Sequence, residues 1–188
     1  MMMRFWYFAA AGLALLSGVF SCGGLSAEEG ESGPGAEREV AYDRYEYPYF
    51  VKNTVSPPEG KSALALSIGS KEEFDEVFGI GMVMGKAPRL IERDYFKTHT
   101  IFAFIEWGNT PWEYTVRNGG KTGRTLVFKV SRSGEASRSA TFAPRLILGV
   151  DRNELDGVNE VIFDFIPADS PVTETGEQFR ISPEFQPE

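Results

Sequence analysis

The residue types that most often build metal and nucleophile sites are scarce in this chain of 188 residues, which has one cysteine, Cys22, and one histidine, His99. One cysteine cannot build a disulfide framework within the chain, and zinc sites need clustered cysteines or histidines. The sequence has no G-x-S-x-G motif, no second histidine to activate a serine, and no D-x-D-x-D-G calcium loop. These absences predict a protein with no catalytic residue, no metal and no cofactor, and therefore not an enzyme.

Basic charge is scarce as well. The chain has 19 lysines and arginines against 27 acidic residues, so its formal net charge at pH 7 is −8. Proteins that bind nucleic acid through its phosphates need clustered lysine and arginine. The acidic balance therefore argues against a nucleic-acid partner, and it fits an exported protein.

Residues 1–21 have the pattern of an export signal. A short basic start precedes the apolar run of residues 5–20, which is too short to span a bilayer comfortably. Residues 19–24, V-F-S-C-G-G, resemble the lipobox of bacterial lipoproteins, which implies cleavage before Cys22 and attachment of fatty acyl chains such as palmitate to it. Several acyl chains would hold the protein to a membrane stably. The alternative is an ordinary secretory signal that is cut after Ala27.

The rest of the chain divides into four segments by composition. Residues 22–41 are rich in Gly, Ser, Glu and Ala and predict a flexible tether. Residues 42–61 are expected to form an aromatic-rich extended segment and linker, and residues 62–167 a β-rich domain. Residues 168–188 are polar and predict a loosely ordered tail.

Tyrosine is concentrated in residues 42–51, Y-D-R-Y-E-Y-P-Y-F-V. Pro48 lacks a backbone donor, which confines such a segment to an edge strand or to an extended arm. In an extended segment, Tyr45, Tyr47 and Tyr49 share one face. They either line the first strand of the domain or form an aromatic arm that binds a partner protein, because tyrosine is favoured at interfaces.

The most apolar stretch outside the signal is residues 100–107, T-I-F-A-F-I-E-W. Its β-branched and aromatic residues predict a central strand that is covered on both faces. Side chains alternate along a strand. We therefore expect Phe102 and Phe104 on one face, and on the other Ile101, Ala103, Ile105 and Trp107.

Two titratable side chains border this stretch. Glu106 ends it beside Trp107, where burial could raise the pKa of the carboxyl group. A strand-end carboxylate more simply reaches solvent or pairs with an arginine, and His99 more simply lies at the start of the strand. Neither residue is predicted to be catalytic.

The loop after the central strand is the candidate for partner binding. It places Trp107 and Trp112 around a turn, and tryptophan is over-represented in binding hot spots. The chain then returns as a half-exposed strand with Tyr114 facing inward, so that Asn109, Thr110 and Tyr114 complete the candidate surface. The alternative places both tryptophan rings in the core and leaves the loop as a connection.

The remaining sequence predicts one helix and several short strands. A capping box at residues 70–73 and apolar residues at helical spacing predict a short helix that ends near Gly79. A turn is expected at residues 118–123, followed by strands at residues 124–131, 140–150 and 158–166. The expected fold class is α+β, mostly β: an antiparallel sheet or small β-sandwich with one short N-terminal helix.

Five segments carry a resemblance to a known family. They are S-K-E-E-F at residues 70–74, I-F-A-F-I-E-W at 101–107, E-Y-T-V at 113–116, L-V-F-K-V at 126–130 and V-I-F at 161–163. In this order they resemble the C-terminal domain of the protease complex subunit PrcB family. That family usually shows Thr-Gly-Gly-Tyr at its first hairpin, where this chain has T-P-W-E-Y at residues 110–114.

The resemblance implies a function. Members of this family are bacterial lipoproteins, named for a small subunit associated with the dentilisin surface protease of treponemes. It implies a non-catalytic, lipid-anchored accessory subunit that binds, stabilises or assembles a subtilisin-like protease complex in the cell envelope, at the outer membrane or cell surface. The alternative function is a β-domain protease inhibitor that acts through residues 107–114.

Overall fold

The computed structural model describes residues 37–45, 48–81 and 89–182, and this part of the chain is mostly β with one short α-helix, α1 (Lys71–Val77). Two 3₁₀ helices span Arg93–Lys97 and Arg152–Leu155. In chain order the strands are β1 (Arg38–Glu39), β2 (Asp43–Tyr45), β3 (Tyr49–Val51), β4 (Ala63–Ile68), β5 (Phe78–Ile80), β6 (His99–Glu106), β7 (Glu113–Thr122), β8 (Thr125–Ser133), β9 (Arg145–Asp151), β10 (Glu160–Phe165) and β11 (Glu177–Ile181).

The strands form two large sheets and one small one. The larger sheet has the order β1-β7-β8-β10-β11 and is antiparallel except for the parallel pair β8 and β10. The second sheet, β2-β9-β6-β4, is antiparallel throughout. Buried residues of both sheets form one apolar cluster, so the sheets pack face to face. The predicted class, mostly β with a sandwich and a short helix, is therefore confirmed.

A third layer covers the outer face of the second sheet. It consists of α1, the 3₁₀ helix Arg93–Lys97 and the small sheet formed by β3 and β5. The side chains of Phe74, Phe78 and Phe96 pack there against Ile101 and Ile105 of β6. The second sheet is consequently buried on both faces, which explains why its central strand is apolar throughout.

β6 lies in the middle of this sheet, between β4 and β9. Phe102 and Phe104 point into the sandwich, whereas Ile101, Ala103 and Ile105 point into the third layer, and all five are fully buried. The predicted two-faced strand is confirmed for these five residues. Trp107 follows the strand and is half-buried against the same cluster as Ile101 and Ile105.

The helix begins where the capping box predicts. Ser70 is the N-cap, and its hydroxyl accepts a hydrogen bond from the Glu73 N–H at 3.2 Å. The Glu73 carboxylate reaches back one residue further than expected and accepts from the Gly69 N–H at 2.8 Å. These bonds satisfy backbone donors that the first turn leaves open. The helix ends at Val77, so Phe78 belongs to β5.

The position of β7 corrects two predictions. It does not return as a hairpin on β6, because β6 and β7 lie in different sheets. Only the last residue of the predicted turn at 118–123 lies in the turn: β7 continues to Thr122, and the chain reverses at Gly123, whose φ is 57°. Gly119 lies inside the strand, where an added Cβ would be 3.1 Å from the Phe128 ring. Close packing against Phe128, and not a turn, therefore favours a glycine there.

The predicted segment boundaries also need correction. The tether was expected to extend to residue 41, but β1 already pairs with β7 at residues 38–39. The segment at 42–61 supplies β2 and β3, so it is part of the domain. The polar segment after residue 167 is not a loose tail throughout, because β11 pairs with β10 over Glu177–Ile181.

Asp164 explains how this polar segment is held. Its carboxylate is 1 % exposed and lies 2.6 Å from the Lys129 ammonium on the neighbouring strand β8. It also accepts hydrogen bonds from the Gly176 N–H at 2.7 Å and from the Gln178 amide at 3.3 Å. Burial would raise the pKa of Asp164, but these donors outweigh it and hold the pKa below the ordinary value of 3.8.

Replacing a central aromatic residue tests the two-sided core. Phe104→Ala should lower the free energy of unfolding by about 3–5 kcal/mol, because it leaves a cavity between the two large sheets. Phe50→Ala is a matched control, since Phe50 is 46 % exposed. Its loss should stay below about 1 kcal/mol. Urea unfolding of both variants measures the difference, and equal losses would contradict the central position of β6.

The buried ion pair gives a pH-dependent prediction. Asp164→Ala should destabilise the fold by about 3–5 kcal/mol at pH 7, because it leaves the Lys129 ammonium without its carboxylate. The lowered pKa means that this stabilisation is complete above the unfolded value of 3.8 and is lost as the pH falls through the folded pKa.

The stability gap between wild type and Asp164→Ala should therefore narrow as the pH falls below about 4. Asp169→Ala, at an exposed aspartate, serves as the control. Adding Lys129→Met to an Asp164→Leu variant should recover most of the loss. A gap that stays constant from neutral to acidic pH would contradict the assigned role of Asp164.

Candidate functional site

The tyrosine-rich segment is part of the core where the structure describes it. Tyr45 ends β2 and is 4 % exposed, and Tyr49 begins β3 and is 2 % exposed. Tyr49 packs edge-on against Phe74, with ring centroids 5.0 Å apart. Both tyrosines line the third layer, so the interpretation as an exposed docking arm is wrong for them. Tyr47 lies outside the described residues.

Asp43, two residues before Tyr45 in β2, is the centre of a polar network that joins the third layer to the sheet. The Asp43 carboxylate accepts from the Tyr95 hydroxyl at 2.9 Å and from both terminal nitrogens of Arg89 at 3.1 Å. Burial would raise the pKa of Asp43, but the bonds from Tyr95 and Arg89 lower it overall. The His99 ring stacks on Tyr95 at 4.1 Å. His99 thus has a packing role at the start of β6, as predicted.

The candidate loop after β6 has a mixed environment. Asn109 is exposed, and Trp107 and Trp112 are half-buried, each packed against a different core cluster. Thr110 is 8 % exposed and Tyr114 is 4 % exposed, so these two cannot offer much surface to a partner. The predicted contact surface is therefore reduced to Asn109 and the outer parts of the two tryptophan rings.

Backbone bonds hold this loop flat against residues 134–142. The Gly108 and Phe142 backbones exchange hydrogen bonds of 3.2 and 2.7 Å, and the Asn109 carbonyl accepts from the Ser137 N–H at 2.7 Å. An added Cβ on Gly134 would lie 3.2 Å from the Pro111 carbonyl oxygen. The two loops therefore form one continuous surface, which we call the loop end of the sandwich.

An ion pair between the two large sheets lies next to the loop end and contacts Trp112. Arg132 of β8 donates to both oxygens of Glu106 in β6, at 3.1 and 3.0 Å. The Tyr114 hydroxyl donates to the same carboxylate at 3.2 Å. The Arg132 guanidinium also lies over the Trp112 ring, 5.0 Å from its centroid. Glu106 pairs with an arginine, as the sequence predicted for a strand-end carboxylate.

The environment of the buried Tyr114 hydroxyl keeps it a hydrogen-bond donor to Glu106. Burial, reinforced by the neighbouring Glu106 carboxylate, raises the pKa of Tyr114. Its hydroxyl therefore stays protonated and keeps its hydrogen bond to Glu106. Sequence reasoning missed both Tyr114 and Arg132 as supports. Arg132 lies just after the strand predicted at residues 124–131, and the only signal for its role was the expected arginine partner of Glu106.

Two shallow clefts flank the loop end. One, of about 600 Å³, lies between Asn109 and residues 136–141. The other, of about 520 Å³, is bounded by Trp112 to Thr115, Pro144, Arg44 and Arg145. Arg44 donates to the Tyr114 carbonyl at the floor of this second cleft. Both clefts open widely to solvent, which suits contact with a protein surface better than enclosure of a small molecule.

The described ranges contain no cluster of metal-binding side chains and no membrane-spanning helix. No group of three or more His, Cys, Asp or Glu side chains within residues 37–45, 48–81 and 89–182 could hold a metal ion. No helix in those same ranges is long and apolar enough to cross a bilayer. Cys22, the predicted site of lipid attachment, lies outside them.

Comparison with known proteins adds no relative. No protein-family model, no curated protein and no solved structure matches this chain. The resemblance to the protease complex subunit PrcB family therefore stays a prediction.

The brace below the loop end can be tested directly. Arg132→Ala should lower the free energy of unfolding by about 2–3 kcal/mol, because it removes charge-assisted hydrogen bonds to Glu106 and the contact with Trp112. Arg138→Ala, at an exposed arginine of the first cleft, should change stability by less than about 0.5 kcal/mol. Urea unfolding followed by tryptophan fluorescence compares them, and similar small effects would contradict the brace.

Proposed function

We propose that this chain is a non-catalytic, lipid-anchored accessory subunit that binds and stabilises a subtilisin-like protease at the cell surface, with the loop end as its contact surface. The observation that carries the proposal is the braced loop end. A sandwich with buried tyrosines presents there an exposed Asn109, two half-buried tryptophans and two open clefts.

The geometry supports binding to a protein partner for an energetic reason. The backbone bonds to residues 134–142 and the Arg132 brace already fix the loop, so association would cost little further ordering. Half-buried tryptophans at the centre of a contact are typical anchors, because partner atoms can complete the burial that the fold leaves unfinished. The combination favours a preformed protein contact surface.

The type of partner and the location rest on the sequence. The lipobox at residues 19–24 supports an anchor at Cys22, and the residues that resemble the PrcB family support a protease as the partner. The inhibitor alternative receives no support from the loop, whose backbone groups at Gly108 and Asn109 are engaged within the chain.

Capture from membranes tests the proposal. The full chain with an affinity tag at its C-terminus should recover a serine protease from detergent-solubilised membranes of its own cells, and a fluorophosphonate probe should label that protease. Asn109→Arg should reduce the recovery at least about tenfold, because a bulky charged side chain would enter the contact. Asn153→Arg provides the matched control: Asn153 is exposed in the 3₁₀ helix at the other end of β6.

Separate outcomes address the anchor and the partner. Cys22→Ser should move the chain from the membrane fraction to the soluble fraction if Cys22 carries the lipid. Recovery of the chain without any probe-labelled protease would overturn the assigned partner. Equal recovery with Asn109→Arg and Asn153→Arg would show that the protease binds elsewhere.

A further inference from the structure

Each large sheet has two outer strands, and one of these four strands differs from the rest. Three of them carry charges: Arg38 and Glu39 in β1, Asp43 and Arg44 in β2, and Glu177 and Arg180 in β11. The fourth, β4, has the sequence A-L-A-L-S-I over six residues and carries no charge. Within the described ranges, β4 pairs on one side only, with β6.

The hydrogen-bond pattern shows which backbone groups of β4 face outward. The Ser62 carbonyl accepts from the Trp107 N–H at 2.7 Å, which fixes the phase of the ladder with β6. Bonded pairs alternate along an antiparallel ladder, so Leu64, Leu66 and Ile68 bond to β6. Ala63, Ala65 and Ser67 therefore direct their N–H and C=O groups away from β6, to an edge with which no other described strand pairs.

This edge lacks the features that keep strands apart. Natural sheets protect their edges with charged side chains, proline, bulges or very short strands. β2, at the other edge of the same sheet, is three residues long and bears the Asp43–Arg89 ion pair. β4 has no proline, and its register with β6 runs without a bulge from Ala63 to Ile68.

We propose that β4 pairs with β4 of a second copy of this chain, antiparallel about a two-fold axis, so that one sheet continues through both copies. A two-fold contact requires a surface that is compatible with itself. Antiparallel pairing about Ala65 places Ala63 opposite Ser67 of the second copy. These side chains are small and uncharged, so they neither repel nor clash across the contact. The leucines alternate on the other face and add apolar contact.

The composition of β4 gives a reason to prefer a second copy over a strand from another protein. Selective recognition of a foreign strand needs side chains that tell it from other strands. β4 carries no charged or aromatic side chain that could do so. A symmetric contact needs only the self-compatible strand. The proposal does not depend on the proposed function.

Sedimentation velocity of the full chain in a density-matched detergent tests the pairing. Over about 1 to 100 μM, the protein mass should rise from that of one copy towards twice that value. Ala65→Pro should weaken the association about 30-fold, because it removes one outward donor from each copy. Its own pairing with β6 should survive, since the Ala65 N–H faces away from that strand.

Arg180→Pro is the matched control on the neighbouring open edge. The Ile166 N–H donates to Val130 on β8, so alternate residues of β10 face β11 and leave Arg180 directed outward. The same substitution there should leave the association unchanged. Loss of the dimer in Arg180→Pro but not in Ala65→Pro would move the contact to β11 and overturn the proposal.

Hydrogen exchange of the wild-type chain tests the β4 pairing even if Ala65→Pro fails to fold. In the wild-type chain, the amides of Ala63, Ala65 and Ser67 should exchange more slowly as the protein concentration rises, while those of Leu64 and Leu66 stay protected throughout. A chain that remains monomeric, or exchange of these three amides that does not depend on concentration, would overturn the proposal. Protection that appears only when another protein is added would assign the edge to that protein instead.

Discussion

Burial of β6 on both faces is the constraint on which the other parts of the structure depend. Phe102 and Phe104 require a second sheet above them, and Ile101 and Ile105 require a third layer below. Burial of each such side chain contributes about 1.5–3 kcal/mol, so neither cover can be removed without exposing a large part of the core. β6 has apolar side chains on both faces, so it needs the sandwich on one side and the third layer on the other.

The third layer explains why so many aromatic side chains outside the two large sheets are buried. A helix of seven residues is too short to cover a sheet alone, so the chain adds β3, β5 and the 3₁₀ helix Arg93–Lys97. Their rings fill the gap, and the Asp43 network joins them to the sheet edge. Gly149 fits the same arrangement, because an added Cβ would collide with the Tyr95 hydroxyl. A polar network is compatible with this site because each of its groups finds a partner.

The sequence correctly predicted the features that depend on residues close together in the chain. The Ser70 cap and the alternation along β6 need only neighbours in sequence, and the structure has both. Tyr45 and Tyr49 could not be placed in this way, because a tyrosine in the core and one at an interface share the same pattern of apolar ring and polar tip. Partners that come together only in the fold decide between the two: Tyr95 and Arg89 for Tyr45, and Phe74 with the Ile91 N–H for Tyr49.

The errors at β7 and β11 have the same origin. The loop after Trp107 is short enough for a hairpin, but the chain crosses to the other sheet, where Tyr114 reaches Glu106 and Arg132. Residues 174–178 are polar and suggest a tail, yet Asp164 and Lys129 on two parallel strands bind them. Both outcomes depend on ion pairs between strands that are far apart in the sequence, and a single sequence does not reveal such pairs.

The β4 edge begins near the loop end and runs away from it, which limits how the two proposed contacts can combine. β4 begins at Ala63, opposite Glu106, so its first residues are near the loop end. Antiparallel pairing of two copies reverses the direction of one of them. The two loop ends would then point in opposite directions, and one compact partner could not touch both. A paired assembly would therefore offer each loop end to its own partner.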